Sequence, residues 1–253
     1  MDNPLFSIIT INYNNKLGLK KTMDSVFSQD FQDYEYIIID GSSSDGSKEI
    51  IESYALDANF RKHVTFWCSE KDKGIYNAMN KGLSHATGQF INMMNSGDTL
   101  CRDILNPLAL LAKQHKNEIL YGAVNLIEKG SFTMAAGRSA EFLPQNMIAH
   151  QSCFVPAEIY KKYGPYDESF RIVSDYDKFL CFYKNNEKFF YTNLIIADYD
   201  FEGLSTKNLE DVDKENIIIR KKYGYYIEPS KKELRKQKLK NDIKRFLKRL
   251  LRW

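Results

Sequence analysis

Four times before residue 98 an apolar, largely β-branched run gives way to a polar turn. The runs are LFSIITI (5–11), YEYIIID (34–40), HVTFWCSE (63–70) and QFINMM (89–94). Apolar stretches of this length with little polar alternation predict strands covered on both faces. Between the first two, Leu19, Met23, Val26 and Phe27 recur at helical spacing in LGLKKTMDSVFSQ. SKEIIESYA, with Ser44 or Asp45 as its candidate cap, and IYNAMNKGLSHA (75–86) predict two more helices. Strand and helix in alternation predict an α/β fold with a mostly parallel sheet and right-handed crossovers. The turns NYN, DGSSSDG, SEKDKG and NSGD all follow strand carboxyl ends, where such sheets bind ligands.

Beyond residue 100 the pattern is less regular. Strands are predicted at 119–127, 149–156 and 189–200, and helices at 157–163, 174–186 and 208–224. No internal repeat or Pro/Gly-rich seam divides the chain, so residues 1–228 are read as one domain and 229–253 as a separate extension. Apolar residues at 43% and charged residues at 27% suit a globular protein with a sizeable core. No run approaches the roughly 20 apolar residues of a membrane span. The acidic start MDNPLFSIITINY does not read as a secretory signal, and the four cysteines form no CxxC pair. A zinc site or disulfide framework is therefore not expected, and the cytoplasm is the expected compartment.

A net charge of +3 conceals an asymmetry: residues 231–253 carry +9 and the other 230 residues carry −6. In the extension, Leu239, Ile243, Phe246, Leu247, Leu250 and Trp253 recur at three- and four-residue steps among Lys and Arg. That pattern predicts a basic amphipathic helix lying on an anionic membrane surface. Nucleic acid is the competing partner for such charge, and the acidic body argues against it.

Asp40, Asp72, Asp98 and Asp175 stand at strand ends or just beyond them. One such aspartate is as readily a helix cap. Four on one rim suit a polar cofactor, since a carboxylate can accept from a base, chelate a ribose diol or hold Mg2+ or Mn2+ against a diphosphate. Neither GxxxxGK[ST] nor GxGxxG is present, which argues against a P-loop or a dinucleotide fold.

SIITINYNN, YIIIDGSSSDGS, SEKDKGIYNAMNKGLSHATGQFINMMNSGD, AHQSCFVPAEIYKKYGPYDESF and VSDYDKFLCFY, in this order, resemble the family-2 glycosyltransferases of the GT-A fold. The likeness spans roughly residues 4–200 and is greatest to bacterial members that build capsule, exopolysaccharide or O-antigen. It implies an inverting transfer from a nucleoside-diphosphate sugar, most often a UDP-sugar, aided by Mn2+ or Mg2+. By this resemblance Tyr13 lies against the base, Asp40 accepts from its edge, and Asp72, ahead of Gly74, lies near base and ribose. Asp98 matches the last carboxylate of the DXD element and would bind the metal, while Asp175 stands where the family places its general base. Two departures are visible: NSGD keeps only that final carboxylate, and SD replaces ED at the base. His150, Gln151 and Arg171 are candidates for an acceptor pocket, and Lys73 and Lys81 could each meet a phosphate. A lipid-linked oligosaccharide at the inner face of the cell membrane would suit both the family and the basic extension. A nucleotidyltransferase would want a Gly-rich basic loop after the first strand, which NYNNKLGLKK lacks. A non-catalytic carbohydrate-binding relative would have no need of both Asp98 and Asp175.

Overall fold

A computed structural model describes residues 3–128, 130–200, 208–228 and 230; the basic extension 231–253 lies outside them. Strands β1 (Phe6–Asn12), β2 (Tyr34–Asp40), β3 (Val64–Ser69) and β4 (Phe90–Asn95) alternate with helices α1 (Lys16–Phe27), α2 (Ser47–Leu56) and α3 (Ile75–His85). A short β5 (Thr99–Leu100), α4 (Leu105–Gln114), β6 (Ile119–Glu128) and the hairpin strand β7 (Ser131–Ala136) follow. The chain continues through β8 (Cys153–Pro156), α5 (Ala157–Tyr163), α6 (Ser174–Lys184), β9 (Phe189–Asp200) and α7 (Leu209–Tyr223).

One sheet runs β3-β2-β1-β4-β8-β6-β9-β5, with β7 paired to β6. The first four strands are parallel to one another, whereas β8 runs antiparallel to both β4 and β6. The order reverses at β1, between β2 and β4, which is where open α/β sheets leave a crevice. All seven residues of β1 are buried. Its Ile9 and Ile11 pack with Met79 of α3 and Phe179 of α6, while Phe6 and Ile8 pack on the other face with Leu19 of α1 and Leu108 of α4. Burial on both faces is why these strands read as continuous apolar runs.

Three local expectations need correction. The stretch 149–156 is a strand only from Cys153, because His150–Ser152 forms a 3-10 turn. Helix α4 was not anticipated, although Leu105, Leu108, Ala109 and Ala112 lie at helical spacing; Pro107 obscures it but is tolerated in a first turn. Gly46, rather than Ser44 or Asp45, is the cap residue of α2. Asp45 still serves the turn by accepting from the amide and hydroxyl of Ser47 and from the Lys16 amide.

At the amino ends of the strands a buried Glu35 accepts from Ser7 at 2.6 Å, Thr65 at 3.1 Å, and the amides of Thr87 and Gly88 at 2.6 and 3.1 Å. Gly88 must come this close: a Cβ there would meet the Ser7 backbone nitrogen at 2.6 Å and the Phe6 carbonyl carbon at 2.8 Å. Neither backbone atom can move aside. We expect Gly88→Ala to cost about 1–3 kcal/mol, a fall on the order of 5 °C in unfolding midpoint for a chain of this size. An unchanged thermal melt would show that the β1–β4 seam is looser than the structure has it.

Candidate functional site

Polar residues end the four parallel strands, and the register sets them side by side: Asn12 opposite Asp40, Asp40 opposite Ser69, and Ile11 opposite Asn95. Asp40 is fully buried. Its carboxylate accepts from Asn12 at 2.7 Å, from Ser69 at 2.6 Å, and from the Ser43 amide and hydroxyl at 2.9 and 2.6 Å. A carboxylate has about four acceptor sites, so protein donors fill this one. Through these bonds Asp40 holds the DGSSS loop from beneath. A Cβ on Gly41 would lie 2.6 Å from an Asp72 carboxylate oxygen and 3.2 Å from the Tyr13 ring. Gly41 thus brings the Asp72 carboxylate and the Tyr13 ring close together, and that residue is 67% exposed. The Asp72 carboxylate also accepts from the Gly74 amide at 2.9 Å, where φ of +126° needs a glycine to enter α3.

Helix α1 holds the NSGD turn. Asn15 donates to the Ser96 carbonyl at 2.9 Å, while Thr22 donates to the Asp98 carbonyl at 2.7 Å and accepts from the Gly97 amide at 2.9 Å. Asp98 points inward and is 4% exposed. One of its oxygens accepts from the Asp200 amide at the end of β9 at 2.9 Å, the other from the Gln151 side chain at 2.8 Å. Burial pushes the Asp98 carboxyl up to about 6, against the lowering effect of these two donors and of His150.

Past the turn, His150 Nδ1 lies 2.9 Å from Asp175, at the start of α6, and His150 Nε2 lies 3.3 Å from the Asn95 amide nitrogen. The Tyr76 hydroxyl of α3 lies 3.0 Å from the other Asp175 oxygen and 2.5 Å from the Ile172 carbonyl, and its one hydrogen serves these two acceptors. Burial works to raise the Asp175 carboxyl, but the hydrogen bond and charge of His150, with Tyr76, outweigh it and hold it below the usual carboxylate value. Glu215 of α7 accepts from the amides of Arg171, Ile172 and Val173 and so fixes the loop that leads into Asp175. Arg171 is itself exposed. Lys81 is paired with Glu70 at 2.8 Å rather than left for a phosphate, and the Lys73 amide donates to Asn77. Asn77 and Asn80 both donate to Glu168, tying α3 to the loop before α6.

The rim is therefore continuous, from Asp72 and Tyr13 through the NSGD turn to His150 and Asp175. The model of the family described as Glycosyl transferase family 2 matches residues 7–187 of this chain. The chain belongs to that family. A curated relative, a PGL/p-HBAD biosynthesis glycosyltransferase of Mycobacterium tuberculosis, is 29% identical over 207 residues, covering 80% of this chain and 79% of its own. Among solved structures, Staphylococcus aureus TarS 1-349 in complex with UDP is similar over 91% of this chain and 67% of its own, with TM-score 0.67 and 17% identity. A mannosyltransferase from Pyrobaculum calidifontis, in complex with GDP-Man and Mn2+, covers 78% of this chain and 57% of its own, with TM-score 0.61 and 15% identity. This chain spans only 39% of the longer TarS chain. Family membership makes the chain a glycosyltransferase of GT-A type and sets aside the nucleotidyltransferase reading.

Family-2 enzymes generally use a divalent ion, but Asp98 does not fit the part of its ligand. It is buried and each oxygen is engaged by a protein donor, so a metal would have to displace the Gln151 side chain or the Asp200 amide. Among the described residues no three His, Cys, Asp or Glu side chains are grouped to hold a metal. Asp98 instead locks the NSGD turn to β9. The sequence reading missed Asn12, Asn95, Tyr76, Asp200 and Glu215; of these only Asn12 and Asn95 carried a signal, as polar ends to apolar strands. A surface depression of about 680 Å3, lined by Tyr121, Tyr183, Lys184, Phe189 and Tyr225, lies at the far end of α6 from Asp175 and belongs to no part of this rim.

Asp98→Ala would leave the Asp200 amide and the Gln151 amide without their partner, at about 1–3 kcal/mol. Asp98→Asn keeps the shape, and a turned Gln151 amide restores the bond. A folded-state pKa above the usual 3.8 means that the folded form binds the extra proton. The Asp98 contribution to stability is then present at low pH and lost as pH rises through about 6. We expect the stability of wild type relative to Asp98→Asn to fall across that window in urea melts and to be flat above it. In calorimetry the Asp98→Asn variant should answer Mn2+ in nucleotide binding as wild type does; a lost response would restore Asp98 as a metal ligand.

Proposed function

We propose that this glycosyltransferase moves a sugar from a nucleoside-diphosphate sugar, with inversion, to a hydroxyl of a lipid-linked glycan during bacterial capsule, exopolysaccharide or O-antigen assembly. The observation that carries the reading is the two-ended rim. At one end the exposed Tyr13 ring beside Gly41 and Asp72 suits a stacked base and its ribose. At the other, Asp175 with His150 offers a route for removing a proton from an attacking alcohol. Between them, the NSGD turn at the switch point of the sheet is where the diphosphate would lie. Solved neighbours of the same fold carry UDP, UDP-GlcNAc or GDP-Man, which supports a nucleotide-sugar donor, with UDP the first choice. A divalent ion remains part of the proposal for the donor diphosphate; no step is assigned to it, because Asp98 does not fit as its holder.

The chain's own residues account for the remaining chemistry. A single displacement at the anomeric carbon requires the incoming hydroxyl on the face opposite the departing diphosphate. Asp175, fixed by Tyr76 and by the loop that Glu215 holds, governs the removal of that proton. The basic residues 231–253 would hold the enzyme on the inner face of the membrane, where a lipid-linked acceptor is presented. No helix among the described residues is long and apolar enough to cross a membrane.

A thermal-shift panel of UDP, GDP and dTDP and their sugars, with and without Mn2+, should show selective stabilisation by one nucleotide. No response to any of them would overturn the donor reading. Asp175→Asn should lower turnover by about 10²–10⁴-fold while the donor still binds; weakened donor binding with unchanged turnover would assign Asp175 to the donor instead. In flotation with phosphatidylglycerol vesicles, the full chain should rise with the lipid and a chain ending at Ser230 should not. Equal flotation would dispose of the membrane role.

A further inference from the structure

Helix α7 presents two different faces. Val212, Glu215, Ile219 and Tyr223 recur at three- and four-residue steps and turn inward, where Ile219 is buried and Val212 and Tyr223 pack against the core. From this side Glu215 accepts the amides of residues 171–173. Further along, Arg220 Nε donates to the Tyr176 hydroxyl at 3.3 Å and Lys222 Nζ to Asp177 at 2.8 Å, so the helix is fastened to α6. Half a turn round, Lys214, Ile217, Ile218 and Lys221 share the opposite face at i, i+3, i+4 and i+7, and all four are exposed. Ile217 is 37% and Ile218 56% exposed. Past the helix end at Gly224 the patch continues: Lys221 Nζ lies 4.8 Å from the centre of the Tyr226 ring, and Ile227 is 87% exposed.

Charge decides what suits this face. Glu210, Asp211 and Asp213 gather at the start of α7, where Lys214 pairs with Asp211 at 3.1 Å and Glu210 at 3.6 Å. Arg220, Lys221 and Lys222 fill its last turn. The basic end is therefore the one beside Ile217, Ile218 and Ile227, and the sequence runs on from there into residues 231–253, which carry +9. A segment of that charge is repelled by the basic last turn, whereas an anionic bilayer complements both. We propose that the outward face of the C-terminal half of α7, with Tyr226 and Ile227, docks on an anionic phospholipid bilayer as one surface with the basic residues 231–253. The inference rests on the membrane reading above and names the folded surface that meets the lipid. Its lysines lie among headgroups and its isoleucines reach the acyl boundary. The docked face is one helix diameter, about 10 Å, from the Glu215 carboxylate that holds the loop before Asp175. A glycan carried on a lipid in that bilayer is thereby presented near the Asp175 end of the rim.

Partition of the full chain into vesicles of equal parts phosphatidylglycerol and phosphatidylcholine tests the surface. The double variant Ile217→Glu/Ile218→Glu should bind them about tenfold more weakly than wild type, or worse, because it takes two apolar side chains from the boundary and adds two charges that the headgroups repel. A matched control, Leu56→Glu/Leu110→Glu, puts the same charge on exposed sites of α2 and α4, which pack on the other face of the sheet. It should bind as wild type does. Wild-type binding by the α7 variant overturns the proposal and leaves the basic extension as the membrane contact; an equal loss in the control also overturns it, since added charge alone would then suffice. If wild type itself does not bind, the membrane reading fails and the docking face falls with it. Without vesicles the α7 variant should melt and sediment as wild type does. A lower unfolding midpoint, or a wild-type dimer that the variant loses, would mean that protein covers this face and would overturn the proposal as well.

Discussion

The hydrogen bonds that pair β1 with β2 and β4 set the register in which Asn12, Asp40 and Asn95 end their strands together. Slipping one strand by a residue would turn every side chain to the opposite face. Here such a slip is opposed from both sides, because Ile9 and Ile11 fill one core and Phe6 and Ile8 the other. The polar rim inherits its precision from apolar packing that no ligand touches. Glu35 reinforces the same register from the other end of the strands, where it gathers donors from Ser7, Thr65, Thr87 and Gly88.

Burial divides the aspartates into two kinds. A carboxylate taken out of water is tolerated only where donors replace the lost hydration. Asp40 has four such donors and Asp98 has two, and both hold loops rather than facing open space. Asp72 and Asp175 stand with the exposed Tyr13 ring and the His150 imidazole, where an incoming molecule can reach. The 3-10 turn at His150–Ser152 joins the two kinds, since Gln151 holds Asp98 while its neighbour His150 holds Asp175.

Much of the fold was legible in the sequence because the parallel half of the sheet is buried on both faces and so writes continuous apolar runs. The antiparallel half was harder to read. Its β8 is four residues long and its β5 two, too short for any period to register, and β7 is exposed along most of its length. At the site, motif order singled out Asp72, Asp98, His150 and Asp175, at or beyond strand ends. Direction was not legible: nothing in NSGD says that Asp98 turns inward to Gln151 and the Asp200 amide, residues 53 and 102 positions away. Likewise Glu215 reaches the loop before Asp175 from a helix 42–44 residues later, a pairing that no local pattern encodes.

The departures of this chain from the family pattern are consistent with one another. The bonds that hold Asp175 below the ordinary carboxylate range also make it a weaker proton acceptor, since a stabilised anion has less to gain from protonation. Asn95, the last residue of β4, opens the NSGD turn, and its side-chain amide nitrogen lies 3.3 Å from His150 Nε2. An ionised aspartate there could only accept, and would need a hydrogen on Nε2 to make its bond; an asparagine can donate to an Nε2 that carries none. The neighbours of Asp175 thus favour its ionised form, which is the one a carboxylate must have before it can take a proton.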